Sequence, residues 1–298
     1  MKLRFWGTRG SIPTPGKGTA KYGGNTPCVE VRLDNGHLII LDAGTGIRML
    51  GDKLMETGES LQAHVLISHP HWDHIQGFPF FKPAFISGNE ITIVGSEPEG
   101  ITLHRVIADQ MNKIYFPIQI NELKARISFH PVGEGTFQIG GATIQTIFVN
   151  HPALALGYRI NYQKKSLVYI SDNEPFDREV AHQMTNVDAS VLQLYQAGNG
   201  DPNRRIFDFV KNTDVLIHDA TYTPDEYIDK VGWGHSHYLF ALKVAHEGEV
   251  GKLVLFHHEQ THTDEKVADI ERKCQREISR REYSFECVAA AEGMELEW

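Results

Sequence analysis

Residues 69–74 read His-Pro-His-Trp-Asp-His and follow directly on the apolar run 65–67. Three imidazoles and a carboxylate within six residues cannot all turn into an apolar core, because burial would leave their polar atoms unpaired. A strand that stops just before them resolves the conflict, since the loop beyond its end can aim the side chains at one point. Neutral imidazoles and a carboxylate are donors that suit zinc and other divalent first-row metals. A loop that merely happened to be rich in histidine would have no reason to keep the spacing His-x-His-x-Asp-His. Histidine is also the ligand type in supply, with 16 residues against three cysteines. Cys28, Cys274 and Cys287 are far apart and form no Cys-x-x-Cys pair, so neither a disulfide framework nor a thiolate zinc site is readable.

The rest of the chain alternates short β-rich runs with helical stretches. The runs 29–33 and 38–41 flank Asn35-Gly36, a hairpin signal of the type I′ kind. Strands are also expected at 64–68, 143–149, 157–162, 167–171, 190–194, 215–218 and 253–257, with turns at Gly140-Gly141 and Lys164-Lys165. Helices are expected at 47–55, 103–111 and 238–246. In a last one Val267, Ile270, Cys274 and Ile278 form an apolar stripe, with Thr261 and Asp264 as its capping pair. Strands in series with helices between them predict an α/β (α+β) chain whose sheets are covered by helices. No repeat or linker divides the 298 residues, which read as a single domain.

The apolar runs fall far short of the roughly 20 residues that span a bilayer. The start MKLRFWGTRG lacks the apolar segment of a secretory signal. The expectation is a cytoplasmic protein with no membrane partner. Its net charge of −9 argues against an electrostatic grip on bulk nucleic acid.

The 69–74 segment resembles the signature of the metallo-β-lactamase superfamily, and further matches extend along most of the chain. The resemblance implies a four-layer αββα sandwich with two divalent metal ions, zinc first and manganese or iron as alternatives. It assigns His69 and His71 to one ion and Asp73 and His74 to the other. The histidine that follows a later strand is matched by His151, and the aspartate that bridges both ions by Asp172. The last ligand is matched by His257, which strand-end register favours over His258. Asp42, in Asp42-Ala43-Gly44, is implied as a residue that orients a ligand from behind. His37, His64, His104, His130, His182, His246 and His262 match no motif position, and Met49, Met55, Phe78, Phe80 and Phe81 read as packing.

Three further segments resemble the branch of transfer-RNA 3′-processing endonucleases and related phosphodiesterases. They are Gly157-Tyr158-Arg159-Ile160, His218-Asp219-Ala220-Thr221 with Asp where the branch has Glu, and Gly234-His235-Ser236. The resemblance gives His235 the role of proton donor, positioned by Asp219; the structural alternative is that Ser236 caps the helix that follows and Asp219 is a surface turn residue. Two metal ions about 3.5–4 Å apart can share a hydroxide and clamp the oxygens of a phosphodiester, while an imidazole protonates the leaving oxygen. Asp73 could also orient the attacking water.

Endonucleases of that branch carry a long arm between the ligands matched by His151 and Asp172, and here only 20 residues lie between them. Together with the net charge, this predicts a small phosphodiester, above all a cyclic nucleotide, and makes a large nucleic acid an unlikely partner. The segments 5–11 and 22–26 also resemble cyclic-nucleotide and cyclic-phosphate hydrolases of the superfamily. Arg9, Ser11 and Asn25 are candidates for a phosphate or base pocket, with structural turns as the alternative. The remaining readings are a transfer-RNA or other RNA 3′-end endonuclease, or a thioester or lactam hydrolase on the same metals. Residues 75–132 are expected to form a lid or subunit contact, and the branch implies a homodimer.

Overall fold

The computed structural model describes residues 1–56, 58–98, 100–177, 193 and 201–298. The first sheet takes β1 (Lys2–Gly7), β2 (Cys28–Arg32), β3 (Leu38–Leu41), β4 (Gln62–Leu66), β5 (Glu90–Gly95) and β6 (Arg126–Pro131). The second takes β7 (Gly135–Ile139), β8 (Ala142–Phe148), β9 (Leu156–Tyr162), β10 (Lys165–Ile170), β11 (Val215–Asp219), β12 (Lys252–Phe256) and β13 (Glu286–Ala289). The last strand, β14 (Glu295–Glu297), returns to pair with β1. Both sheets share one plan, an antiparallel part leading into four parallel strands, β3 to β6 in one and β10 to β13 in the other. The helices are α1 (Gly46–Met55), α2 (Trp72–Ile75), α3 (Leu103–Ala108), α4 (Arg204–Phe209), α5 (Pro224–Tyr227), α6 (Tyr238–Glu247) and α7 (Asp264–Arg281).

Three apolar seams make this a four-layer αββα sandwich. Between the sheets, Ile39, Leu41 and Leu66 meet Leu167, Tyr169, Ile217 and Phe256. The alternate residues Ile40, Val65 and Ile93 face outward onto Ile47 and Leu50 of α1 and Ile107 of α3. On the far side, Val168, Leu216 and Leu253 face Phe207, Val244, Ile270 and Cys274 of α4, α6 and α7. A strand buried on both faces needs apolar residues at every position, which is why Leu38–Leu41 is an unbroken run.

Several local expectations change. Only Gly36 has positive φ in the β2–β3 turn and its N–H bonds Leu33 O, so the turn is an ordinary one ending in a left-handed glycine, not type I′. The β7–β8 turn is the primed kind, with Gly140 and Gly141 both left-handed. The β9–β10 turn falls on Gln163 and Lys164, one residue early. Helix α7 starts at Asp264 and is capped by Thr263, whose side chain accepts the Lys266 N–H, while Asp264 accepts the N–H groups of Lys21 and Tyr22. The helix expected to reach residue 111 tightens to a 3₁₀ turn after Ala108. Of the expected strand 190–194 all but Gln193 lies outside the described residues, as does His182. Within 75–132, β5 and β6 extend the first sheet, and the exposed Ile114 and Tyr115 belong to the segment between α3 and β6. No helix among the described residues is long and apolar enough to cross a membrane.

In a parallel sheet the chain leaves every strand at the same edge, and ligands gather beyond the carboxyl ends. Asp42 follows β3, His69–His74 follow β4, Asp172 follows β10, Asp219 ends β11 and His257 follows β12. The 69–77 segment is stitched to the loop after β3 by Ala43 N–H to His74 O (2.7 Å) and Gly77 N–H to Ala43 O (2.9 Å). A Cβ on Gly77 would lie 2.0 Å from Gly44 O. Gly77→Ala should therefore cost about 1–3 kcal/mol of stability, the usual penalty of forcing extra volume into packed structure. A denaturation midpoint equal to that of the parent would show that the loops can part freely.

Candidate metal centre

The ends of β4, β10 and β12 and the loop after β8 bring seven side chains to one point: His69, His71, Asp73, His74, His151, Asp172 and His257. Asp172 stands at its middle. Its carboxylate lies 3.3 Å from His74 Nε2, 3.5 Å from His257 Nε2, 3.6 Å from His69 Nε2 and 4.0 Å from His151 Nε2. Asp73 Oδ2 lies 3.2 Å from His74 Nε2 and 3.1 Å from His257 Nε2, and accepts the Ser11 N–H at 2.9 Å. His71 Nδ1 faces His151 Nε2 at 3.1 Å. The ligand atoms fall into overlapping groups: His69, His71 and His151; Asp73, His74 and His257; His69, His74 and Asp172; and Asp172, His235 and His257. Within each group the atoms lie no more than 4.8 Å apart.

The opposite ring nitrogens explain why these atoms are free to bind. His151 Nδ1 lies 2.9 Å from the Gly234 carbonyl, which can only accept, so Nδ1 carries the proton and Nε2 keeps its lone pair. His74 Nδ1 meets Asp42 Oδ2 at 2.7 Å, which turns Nε2 toward the cluster; burial would lower its pKa, but Asp73, Asp172 and Asp42 raise it well above the usual value, so an ion would displace a proton there. Ser68 Oγ donates to Asp42 (2.8 Å) and so can accept from His69 Nδ1 (3.0 Å). Thr221 Oγ1 stands 3.2 Å from His257 Nδ1. Asp42 itself is buried and left-handed (φ 61), and also accepts from Tyr169 Oη and Ser68 N–H.

The residues present fit divalent ions. His69 Nε2, His74 Nε2 and Asp172 Oδ1 are buried without a hydrogen-bond partner, and all three belong to one ligand group. Each such orphan costs about 1–3 kcal/mol, so three around one point call for a shared cation. Burial lowers the pKa of His69 and His71 and pushes His151 down to about 3, leaving this trio neutral with no proton to displace. Burial alone would raise the Asp73 and Asp172 carboxyls, but His74 and His257 outweigh it and hold both well below the usual range.

His235 stands beside this cluster with its ring stacked on His257 at a centroid distance of 4.8 Å. Its Nδ1 lies 3.1 Å from Asp219 Oδ2, which leaves Nε2 for a substrate. Burial depresses its pKa, but the Asp219 charge and hydrogen bond, with Asp172 and Asp73, carry it up to about 9. The short Asp side chain thus reaches the imidazole. Ser236 is not the helix cap: His237 caps α6, and Ser236 Oγ donates to Asn173 O. The α6 N–H groups of Tyr238 and Phe240 bond Tyr222 O and His237, so they do not face an anion at His235.

An open cleft of about 460 Å³ reaches the centre between Ser11, His71, Trp72, Asp73, Asp172 and His235. Ser11 is therefore at the site. Arg9 is not: its guanidinium is fully buried and donates to the carbonyls of Gly23, Glu259 and His262, tying three loops together. Asn25 bonds Glu292 and Thr45. Of the other histidines, His262 pairs with Glu226, His246 stacks on Tyr283 and His104 lies against Phe129. Sequence reasoning missed Glu174. This buried carboxylate accepts from Gly232 N–H (2.7 Å), Gly234 N–H (2.8 Å) and Tyr227 Oη (2.8 Å), and so fixes the loop that presents His235. Only its place two residues after Asp172 could have drawn notice.

The sequence profile of the beta-lactamase superfamily domain matches residues 37–199. The chain belongs to the beta-lactamase superfamily. Among curated relatives, the Ribonuclease Z of Thermoplasma acidophilum is 25% identical over 299 residues, covering 90% of this chain and 89% of the relative. Among solved structures of this superfamily's fold, YhfI from Bacillus subtilis aligns with a TM-score of 0.67 at 17% identity, covering 100% of this chain and 99% of that one. Human tRNase Z, short form, aligns with a TM-score of 0.63 at 17% identity over 100% and 99%. The motifs' likeness to the transfer-RNA endonuclease branch agrees with these relatives, as does the class of metal-dependent hydrolase.

The same finding corrects one expectation. Relatives that span nearly the whole chain are named Ribonuclease Z, which overturns the reading of a small substrate and of large nucleic acid as an unlikely partner. The error lay in treating net charge as surface charge. Among the described residues, Asp42, Asp73, Asp172, Glu174 and Asp219 are buried in and behind the centre, where histidines, backbone N–H groups and hydroxyls meet them, so they add little to the field an approaching polyanion meets.

Proposed function

We propose that this chain is a metal-dependent endonuclease that cleaves RNA, with transfer-RNA precursors as the first candidate substrate. The observation that carries the reading is the His235–Asp219 pair at 3.1 Å beside the ligand cluster, in a chain whose relatives are named Ribonuclease Z. His69, His71 and His151 would hold one ion, and Asp73, His74 and His257 the other, with Asp172 between them. Two divalent ions there, zinc by the chemistry of the donor set, would supply Lewis acidity toward a phosphate oxygen and a water poised to attack at neutral pH. Asp42, Ser68, Thr221 and the Gly234 carbonyl hold the imidazoles in the binding tautomer. Asp219 keeps the His235 ring turned so that Nε2 delivers a proton to the leaving ribose oxygen. Glu174 holds the loop on which that ring rides.

The test is cleavage of a precursor transfer RNA by metal-replete protein, set against 3′,5′-cyclic nucleotides. A kcat/KM at least as high on the RNA is expected, and a clear preference for the cyclic nucleotide would sink the reading. Chelation should abolish the activity and lower the melting temperature, because the buried ligand atoms lose their shared partner. An unchanged melting temperature after complete metal removal would mean the centre does not depend on an ion.

A further inference from the structure

One exposed tryptophan lines the cleft and a second rides on the loop that presents His235, and the chemistry proposed above uses neither. Trp72 lines the cleft between His71 and Asp73 and is 76% exposed. Trp233 lies two residues before His235 and is 57% exposed. Indole is the side chain with most to gain from burial, so outward presentation beside a reactive centre calls for a reason.

The presentation is built in. Trp233 sits between Gly232 and Gly234, both left-handed (φ 87 and 85), whose N–H groups are held by buried Glu174. A Cβ on Gly234 would lie 2.3 Å from His151 Nδ1, so this backbone is pressed against the ligand cluster while the Trp233 ring beside it stays exposed. Trp72 opens α2, in which Asp73 and His74 are buried toward the cluster, and it is therefore left facing outward. Lys230 Nζ sits 3.9 Å over the Trp233 ring, which places a cation beside an aromatic face.

Beyond the phosphates that cations can meet, a single strand also offers the faces of its unpaired bases. Base stacking is the contribution that does not depend on net charge, and it tolerates any base because each has a π-face. We infer that the Trp72 and Trp233 indoles are stacking platforms for unpaired nucleobases of a single-stranded RNA segment lying across the cleft, with Lys230 meeting an adjacent phosphate. This rests on the endonuclease reading and names the part of the RNA that the rim holds.

The experiment is equilibrium binding of an oligouridylate of about eight nucleotides, within the usual span of such sites, to metal-replete protein, followed by anisotropy of a label on the RNA. Trp72→Ala and Trp233→Ala should each weaken binding by about 5- to 100-fold, the worth of one stacked base. Trp→Phe at either position should retain most of the affinity, because the phenyl ring keeps a face to stack on. Elemental analysis of every variant should return the parent's metal content. Equal affinity in parent and double Ala variant, no binding by the parent, or Phe variants as weak as Ala would each overturn the proposal. Precursor cleavage by the parent separates the two readings. RNA cleaved with Ala variants binding normally removes the platforms and leaves the endonuclease. Tryptophan-dependent binding without any cleavage does the reverse.

Discussion

His235→Ala should keep its metal and lose about 10²–10⁴-fold in kcat on RNA, the usual worth of a general acid. The ring is almost closed off, only 12% exposed, and Asp219 occupies Nδ1, so Nε2 is the atom that can meet a leaving oxygen. The size of the loss should depend on the leaving group. A ribose alkoxide needs a proton as it departs, whereas p-nitrophenolate does not, so bis-p-nitrophenyl phosphate should suffer much less. Equal losses on both substrates, with metal intact, would remove His235 from the acid role. Asp219→Asn is a less clean probe than its motif position suggests. The Asp219 carboxylate also accepts from Asn173 N–H, Ser236 N–H and both the N–H and hydroxyl of Thr221, so the amide would disturb three loops as well as the imidazole.

Asp172→Ala should empty the centre more thoroughly than loss of any single histidine. Among the described residues, its carboxylate is the one group within about 4 Å of His69, His74, His151, His235 and His257 together, so both candidate ion positions depend on it. Elemental analysis should fall from about two ions per chain to less than one. Activity should fall by at least the roughly 10²–10³-fold that follows removal of a single electrostatic donor. Full metal content in the variant would mean that Asp172 does not bridge.

The exposed tryptophans change how the acidic composition reads. An enzyme that cuts RNA need not be basic if its cleft supplies cations and its rim supplies rings. The 20 residues between His151 and Asp172 hold only the β9–β10 hairpin and its approach, so the RNA contacts proposed here would lie elsewhere on the surface. Trp72 lies inside the most informative motif of the chain, but a residue's exposure is not written in the motif around it.

The amino-acid sequence by itself determined which residues would leave the strand ends. A strand's period of two and its abrupt change from apolar to polar are local facts, so Asp42, His69, His71, His74 and Asp172 could be set at loop starts without any knowledge of packing. Spacing then marked His69, His71, Asp73 and His74 as a set, and the superfamily resemblance added Asp42 and Asp172 to it. Tertiary structure alone decided which nitrogen of each imidazole faces the cluster, because that depends on an acceptor behind the ring, such as Asp42 for His74 or the Gly234 carbonyl for His151. It decided that Arg9 ties loops while Ser11 lines the cleft, although the two are near neighbours in the chain. It placed Glu174 under a loop 60 residues away, where it accepts the Gly232 and Gly234 N–H groups that flank Trp233 and lead into His235. These outcomes follow from which strands lie side by side in a sheet, and side-by-side placement is set by burial summed over whole faces, which no short segment encodes.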